Sequence, residues 1–183
     1  MLAQSVDVQG EMEDVCSKLL LAIYDEPCSY SIRDGDGHSE ELGAVGPVRR
    51  FRLRCYEIEN ALVTDDCLRL LLGSGVEGEP WEGFKAKAWE WIIANPNHSD
   101  VALERELVES RDRLRHRKIK AIRNLICGIA GTKKPWEVVV GQAIAALRQE
   151  DIEDQSDCLA SYLGGALVQT IVQPPHREVS AGD

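Results

Sequence analysis

Residues 100–130 read DVALERELVESRDRLRHRKIKAIRNLICGIA. At 100° per residue, Leu103, Leu107, Leu114, Ala121 and Leu125 fall in one narrow arc, and Val108, Ile119, Ile122 and Ile126 form a second arc beside it. This pattern predicts one helix of about thirty residues, capped by Ser99 or Asp100, acting as a strut that several other helices contact. The opposite side carries Arg113, Arg117, Lys120 and Arg123, and Lys133 and Lys134 follow at the turn.

Around this strut the chain reads as helix after helix. From about Asp7 to Tyr24, Val8, Met12, Val15, Leu19 and Ile23 recur at helical spacing, which predicts a core helix with its acids, Glu11, Glu13 and Asp14, turned outward. Residues 25–46 are rich in glycine and acids and read as a long loop. Its Asp34-Gly35-Asp36-Gly37-His38 segment is similar to the start of a calcium loop but lacks the sixth-position glycine (Ser39) and the twelfth-position glutamate (Val45).

For residues 47–62 two periods compete. Phe51, Leu53 and Cys55 alternate as in a strand, whereas Val48, Phe51, Cys55, Ile58 and Leu62 step by three and four over a longer span. The longer pattern favours a helix opened by Pro47, with Arg49, Arg50, Arg52 and Arg54 at its start. That places basic residues at the positive end of the helix dipole, which invites an acidic neighbour.

Thr64 caps a short apolar helix that stops at Gly73. Pro80 opens another helix, carrying Trp81, Trp89 and Trp91 up to Asn95-Pro96, and the tryptophan stripe is read as core rather than as a stacking platform. Trp136, Val139, Val140, Ala143, Ile144 and Leu147 stripe a helix begun by Pro135. A last helix, capped by Ser156 or Asp157, runs through Gly164-Gly165, a pair suited to close approach by another helix. The expected architecture is an all-α single domain of six or seven helices over residues 1–173, with a tail at 174–183.

Charge localises the functional expectation. Residues 1–48 hold ten acids against two bases, residues 49–134 thirteen against seventeen, and residues 135–183 eight against two, giving blocks of −8, +4 and −6. Long-range attraction of the whole chain to nucleic acid or an anionic membrane is not supported. Between Arg113 and Trp136, however, no Asp or Glu occurs. Unpaired arginines suit phosphate, because the guanidinium fork matches two oxygens.

No phosphate-binding glycine loop, G-x-S-x-G or H-E-x-x-H is present, so an enzyme is not expected. Six dispersed cysteines and four dispersed histidines give no metal spacing, and no cofactor is expected. The first residues lack the basic, apolar pattern of a signal peptide and no run reaches the ~20 apolar residues of a membrane span, which points to the cytosol or nucleus.

The expected function is a non-catalytic regulatory or accessory binding protein. It would contact nucleic acid, RNA above all, through Arg113, Arg117, Lys120, Arg123, Lys133, Lys134, Arg49, Arg50 and Arg52. The alternative is that the same residues meet an acidic protein surface, including the acidic ends of a second copy in a homo-oligomer.

Overall fold

The computed structural model describes residues 6–25, 27–38, 41–73, 78–98, 110–152 and 157–173. The expected caps at Ser5, Ser99, Asp100 and Ser156, the first part of the predicted strut and the tail at 174–183 lie outside them. The chain folds as a mixed α/β structure, which corrects the all-α expectation. Helix α1 (Val6–Ile23) is followed by strand β1 (Ser29–Arg33) inside the segment read as a loop, and by strand β2 (Val48–Arg52) where a helix was favoured. The two strands pair in parallel, with Ser29 opposite Val48 and Arg33 opposite Arg52. Beyond β2 the Leu53 N–H donates to the Arg33 carbonyl and the Arg54 N–H to the Tyr162 carbonyl, and the chain bends over 54–57. Leu53 and Cys55 turn inward, so the period-two reading is the correct one here.

The helical body comprises α2 (Asp65–Leu72), α3 (Pro80–Ala94), α4 (Arg111–Arg115), α5 (Arg123–Ala130), α6 (Trp136–Ala146), α7 (Leu159–Leu163) and α8 (Gly165–Val172). Thr64 caps α2 as expected, its hydroxyl accepting from the Cys67 N–H at 3.4 Å. Pro80 opens α3. On α6, Val139, Val140, Ala143 and Leu147 form the buried stripe that their spacing predicts. Trp81 stacks on Phe84 and Trp91 packs against the core, but Trp89 is exposed.

Two expected helices are broken. The described half of the predicted strut is α4 and α5 with a turn between them, and this turn is held from a distance. Asn60 Nδ2 donates to the carbonyls of Leu114 (2.5 Å) and Arg117 (2.8 Å), and Glu57 Oε1 accepts from the N–H groups of Ile119 (2.7 Å) and Lys120 (2.5 Å). These side chains satisfy backbone groups that a continuous helix would have satisfied internally. Similarly, Gly164 separates α7 from α8 at φ 93°, ψ 138°, and a Cβ there would come within 3.3 Å of Arg54 Cγ. The close approach expected at the glycine pair is real, but it comes from the Arg54 side chain rather than from a helix.

The centre of the body is therefore not the strut but the 3-10 helix Ile58–Val63, whose Ala61, Leu62 and Val63 are fully buried. Ile119, Ile122, Ile126, Phe84, Val139 and Leu159 join them in one core. Buried Arg111 ties the core together: its Nε donates to the Val63 carbonyl at 2.7 Å, it pairs with Asp65 at 2.7 Å, and its guanidinium lies 5.6 Å from the Trp81 ring centre.

The N-terminal unit is built the other way round. Glu13 and Ser17 of α1 are buried against the strands, while Val8, Val15, Leu19 and Ile23 face solvent. The expectation of a core helix is thus overturned for the apolar arc and for Glu13, while Glu11 and Asp14 face outward as expected. Glu13 forms a two-pronged pair with Arg33 (3.2 and 2.6 Å), meets Arg50 at 3.3 Å and accepts from the Ser31 hydroxyl at 2.5 Å. The strand arginines on this face need an acid, and among the described residues the polar side of α1 supplies it.

Candidate basic cleft

The structure disperses the expected basic row. Because the chain turns between α4 and α5, Arg113, Arg117, Lys120 and Arg123 do not line one helical face. Arg123 points inward, pairing with Glu59 at 2.5 Å and lying 5.0 Å over the Trp136 ring. Arg113, Arg117, Lys118 and Lys120 are exposed. Lys133 and Lys134 sit at the far end of α5, about 12 Å of helix away from Arg123. On β2, alternation sends Arg49 to one side and Arg50 and Arg52 to the other, and Arg50 is taken up by Glu13 and by the Gly43 carbonyl at 2.6 Å.

What the fold does bring together is a cleft of about 650 Å³ between the turn after β1, the run 50–56, the end of α4 and the start of α8. Arg52, Arg54, Arg115 and His116 line it together with Tyr56; Phe51 also borders it, but its ring lies on the other face of β2, 6.1 Å from that of Tyr30. Arg52 and Arg54 line the cleft while buried Leu53 and Cys55 anchor the run in the core. Among the described residues neither Arg52 nor Arg54 has an acidic partner, and the buried Nε of Arg52 has no acceptor. Arg115 donates to the Arg54 carbonyl (3.3 Å) and the Ser161 carbonyl (2.6 Å) and lies 4.7 Å over the Tyr162 ring. These contacts fix its position.

The start of α8 completes the wall. Gly165, Ala166 and Leu167 line the cleft, and the cap residue Gly164 has no side chain to accept their N–H groups. A helix start of this kind presents donors and a partial positive charge to an anion. His116 lies 3.9 Å from Asp112 at the rim, and among the described residues that line the cleft Glu41 is the one carboxylate. Arg117 and Lys118, which follow His116 in the chain, are exposed.

The sequence pointed to Arg52 but not to Arg54, Arg115, His116 or Gly164-Gly165 as site residues. The available signal was the alternation of Arg52 and Arg54 with buried Leu53 and Cys55, which becomes legible only once 48–52 is read as a strand.

The turn Asp34–His38 at the C-terminal end of β1 borders the same cleft through Gly35, Gly37 and His38. Its Asp36 N–H donates to the Tyr56 carbonyl at 2.9 Å. Burial pushes the Asp34 carboxyl above its ordinary value, and the charges of Asp36 and Glu59 add to the shift against a hydrogen bond from Ile58 and the charge of Lys120. Among the described residues no three His, Cys, Asp or Glu side chains gather as a metal site. Burial also pushes the Cys55 and Cys67 thiols up to about 12, so both stay protonated at neutral pH. No helix of the described residues is long and apolar enough to cross a membrane. No family model, curated protein or solved structure matches this chain.

Proposed function

We propose that this chain is a non-catalytic accessory protein that binds single-stranded nucleic acid, RNA in particular, with one nucleotide seated in the basic cleft and the neighbouring phosphates along Arg117, Lys118 and Lys120. The observation that carries the reading is the composition of the cleft: Arg52 and Arg54, without acidic partners among the described residues, stand beside the uncapped start of α8, with Tyr56 beside the cations. Guanidinium forks and free N–H groups match phosphate oxygens, and aromatic faces accept a base. An acidic peptide would use the cations but not the aromatic surface. The volume falls within the usual range of about 300–1,000 Å³ for small-ligand sites, enough for a nucleotide but not for a duplex.

The test is fluorescence anisotropy with labelled single-stranded RNA and DNA of equal length over a salt series. RNA should bind more tightly than DNA, and affinity should fall as salt rises. The double variant Arg52→Ala/Arg54→Ala should lower the log–log salt slope by about 1.4, from about 0.7 for each lost phosphate contact on a single strand. Lys133→Ala/Lys134→Ala, at the far end of α5, should leave the slope unchanged. Absence of binding at low salt, or binding indifferent to Arg52 and Arg54, would overturn the reading.

A further inference from the structure

The outer face of α1 carries a pattern that the monomer does not use. Val8, Met12, Val15, Leu19 and Ala22 follow one another at steps of four, three, four and three, the seven-residue repeat of helices that pair along a seam. Val8, Val15 and Leu19 are 44, 54 and 55% exposed, while Glu13 and Ser17 on the opposite side are buried. A helix docked by its polar side, with an apolar repeat facing water, still has an apolar surface to bury.

Charge decides what covers it. Glu11 and Lys18 stand seven residues apart on the same flank of the seam, both exposed and of opposite sign. When two copies of α1 lie antiparallel about a two-fold axis near Val15, the Lys18 of each copy comes opposite the partner's Glu11, and both pairs form at once. A parallel arrangement would set Glu11 and Lys18 against Cys16 and Ile23 of the other copy and form neither ion pair. The existing contact of Lys18 with Asp14 at 2.6 Å is a solvent-exposed pair of small value, and an ammonium has two further donors to offer.

We infer that α1 is the interface of an antiparallel homodimer, its seam formed by Val8, Met12, Val15, Leu19 and Ala22 and its register set by Glu11 and Lys18. This interface does not depend on the cleft or on its ligand. It also differs from a dimer in which the acidic ends meet the basic middle, because its contacts are apolar and confined to one helix.

Sedimentation equilibrium of the full chain tests this, with circular dichroism as a check on folding. The chain should dimerise below ~100 µM, within the range of ordinary reversible association. Val15→Asp/Leu19→Asp should be monomeric throughout with an unchanged spectrum, since both positions face solvent in the monomer. Lys18→Glu sets acid against acid twice and should weaken the dimer about tenfold, and Glu11→Lys/Lys18→Glu should bring the affinity back to within about threefold. A wild-type monomer at ~100 µM, a Val15→Asp/Leu19→Asp protein that still dimerises, or a charge swap that fails to restore affinity would each overturn the inference.

Discussion

The N-terminal unit and the helical body bury opposite kinds of surface. Around the 3-10 helix Ile58–Val63 the interior is aliphatic, and its polar groups serve to hold backbone: Asn60, Glu57 and Arg111 all bond carbonyls or N–H groups of other segments. Between α1 and the strands the interior is ionic, made of Glu13, Arg33, Arg50 and Ser31, and the aliphatic residues are outside. Periodicity located the apolar arc of α1, but the arcs predicted for the strut are cut by the turn between α4 and α5, where Ala121 is exposed. Which way an arc faces was set by the surface it meets, and a strand face bearing Arg33 and Arg50 selects the acidic side of a helix over the apolar one.

The largest expected difference between the two regions lies in truncating an aliphatic residue. Leu62→Ala removes a fully buried side chain and should cost about 2–5 kcal/mol in urea unfolding. Val15→Ala, on the outer face of α1, should stay within about 0.5 kcal/mol when measured at monomer concentrations. Comparable losses at the two sites would erase the distinction.

Next in size is the turn between α4 and α5. Asn60→Ala leaves the carbonyls of Leu114 and Arg117 without their buried donor and should cost about 1–3 kcal/mol. Amide hydrogen exchange should speed up at 114–122 but not in α1 or the strands. Acceleration spread evenly over the chain would show that the two regions unfold as one.

The smallest effect separates the carboxylates by pH. In Glu13, burial raises the pKa, but hydrogen bonds from Arg33, Ser31 and Arg50 and the charge of Arg33 outweigh it, so the group ends below its ordinary value. Its stabilising contribution is present above the unfolded pKa and is lost as pH falls through the folded one. Asp34 is raised, chiefly by burial and then by Asp36, so its contribution is fully present below the ordinary value of 3.8 and is lost as pH rises through the folded pKa. Asp34→Asn should therefore raise the melting temperature at pH 7, with the gain vanishing below about pH 3.8. A gain that persists in acid would mean that Asp34 is not held against its charge.

Much of the helical body was legible in local signals. Thr64, Pro80 and the stripe on α6 act within a few residues of the structure they specify. The features that were not legible depend on distant partners. The five residues of β2 become a strand through pairing with β1, against a longer helical period that includes Ile58 and Leu62. The turn that breaks the predicted strut is held by side chains 54 to 63 residues away in sequence. Arg123 had no acid nearby in sequence and found Glu59 across the fold. An acid-free run thus reports on local pairing alone, and the cleft was invisible because Arg54, Arg115 and Gly164 meet only after three separate segments have folded together.

The opposed build of the two regions is tested most directly by a double-mutant cycle between Glu13 and Arg33, using Glu13→Ala, Arg33→Ala and the double variant in urea unfolding. A buried, two-pronged pair should show a coupling of about 2 kcal/mol or more, with each single variant costing about 3 kcal/mol. A coupling below about 0.5 kcal/mol would mean that Glu13 faces water and that α1 docks by its apolar side.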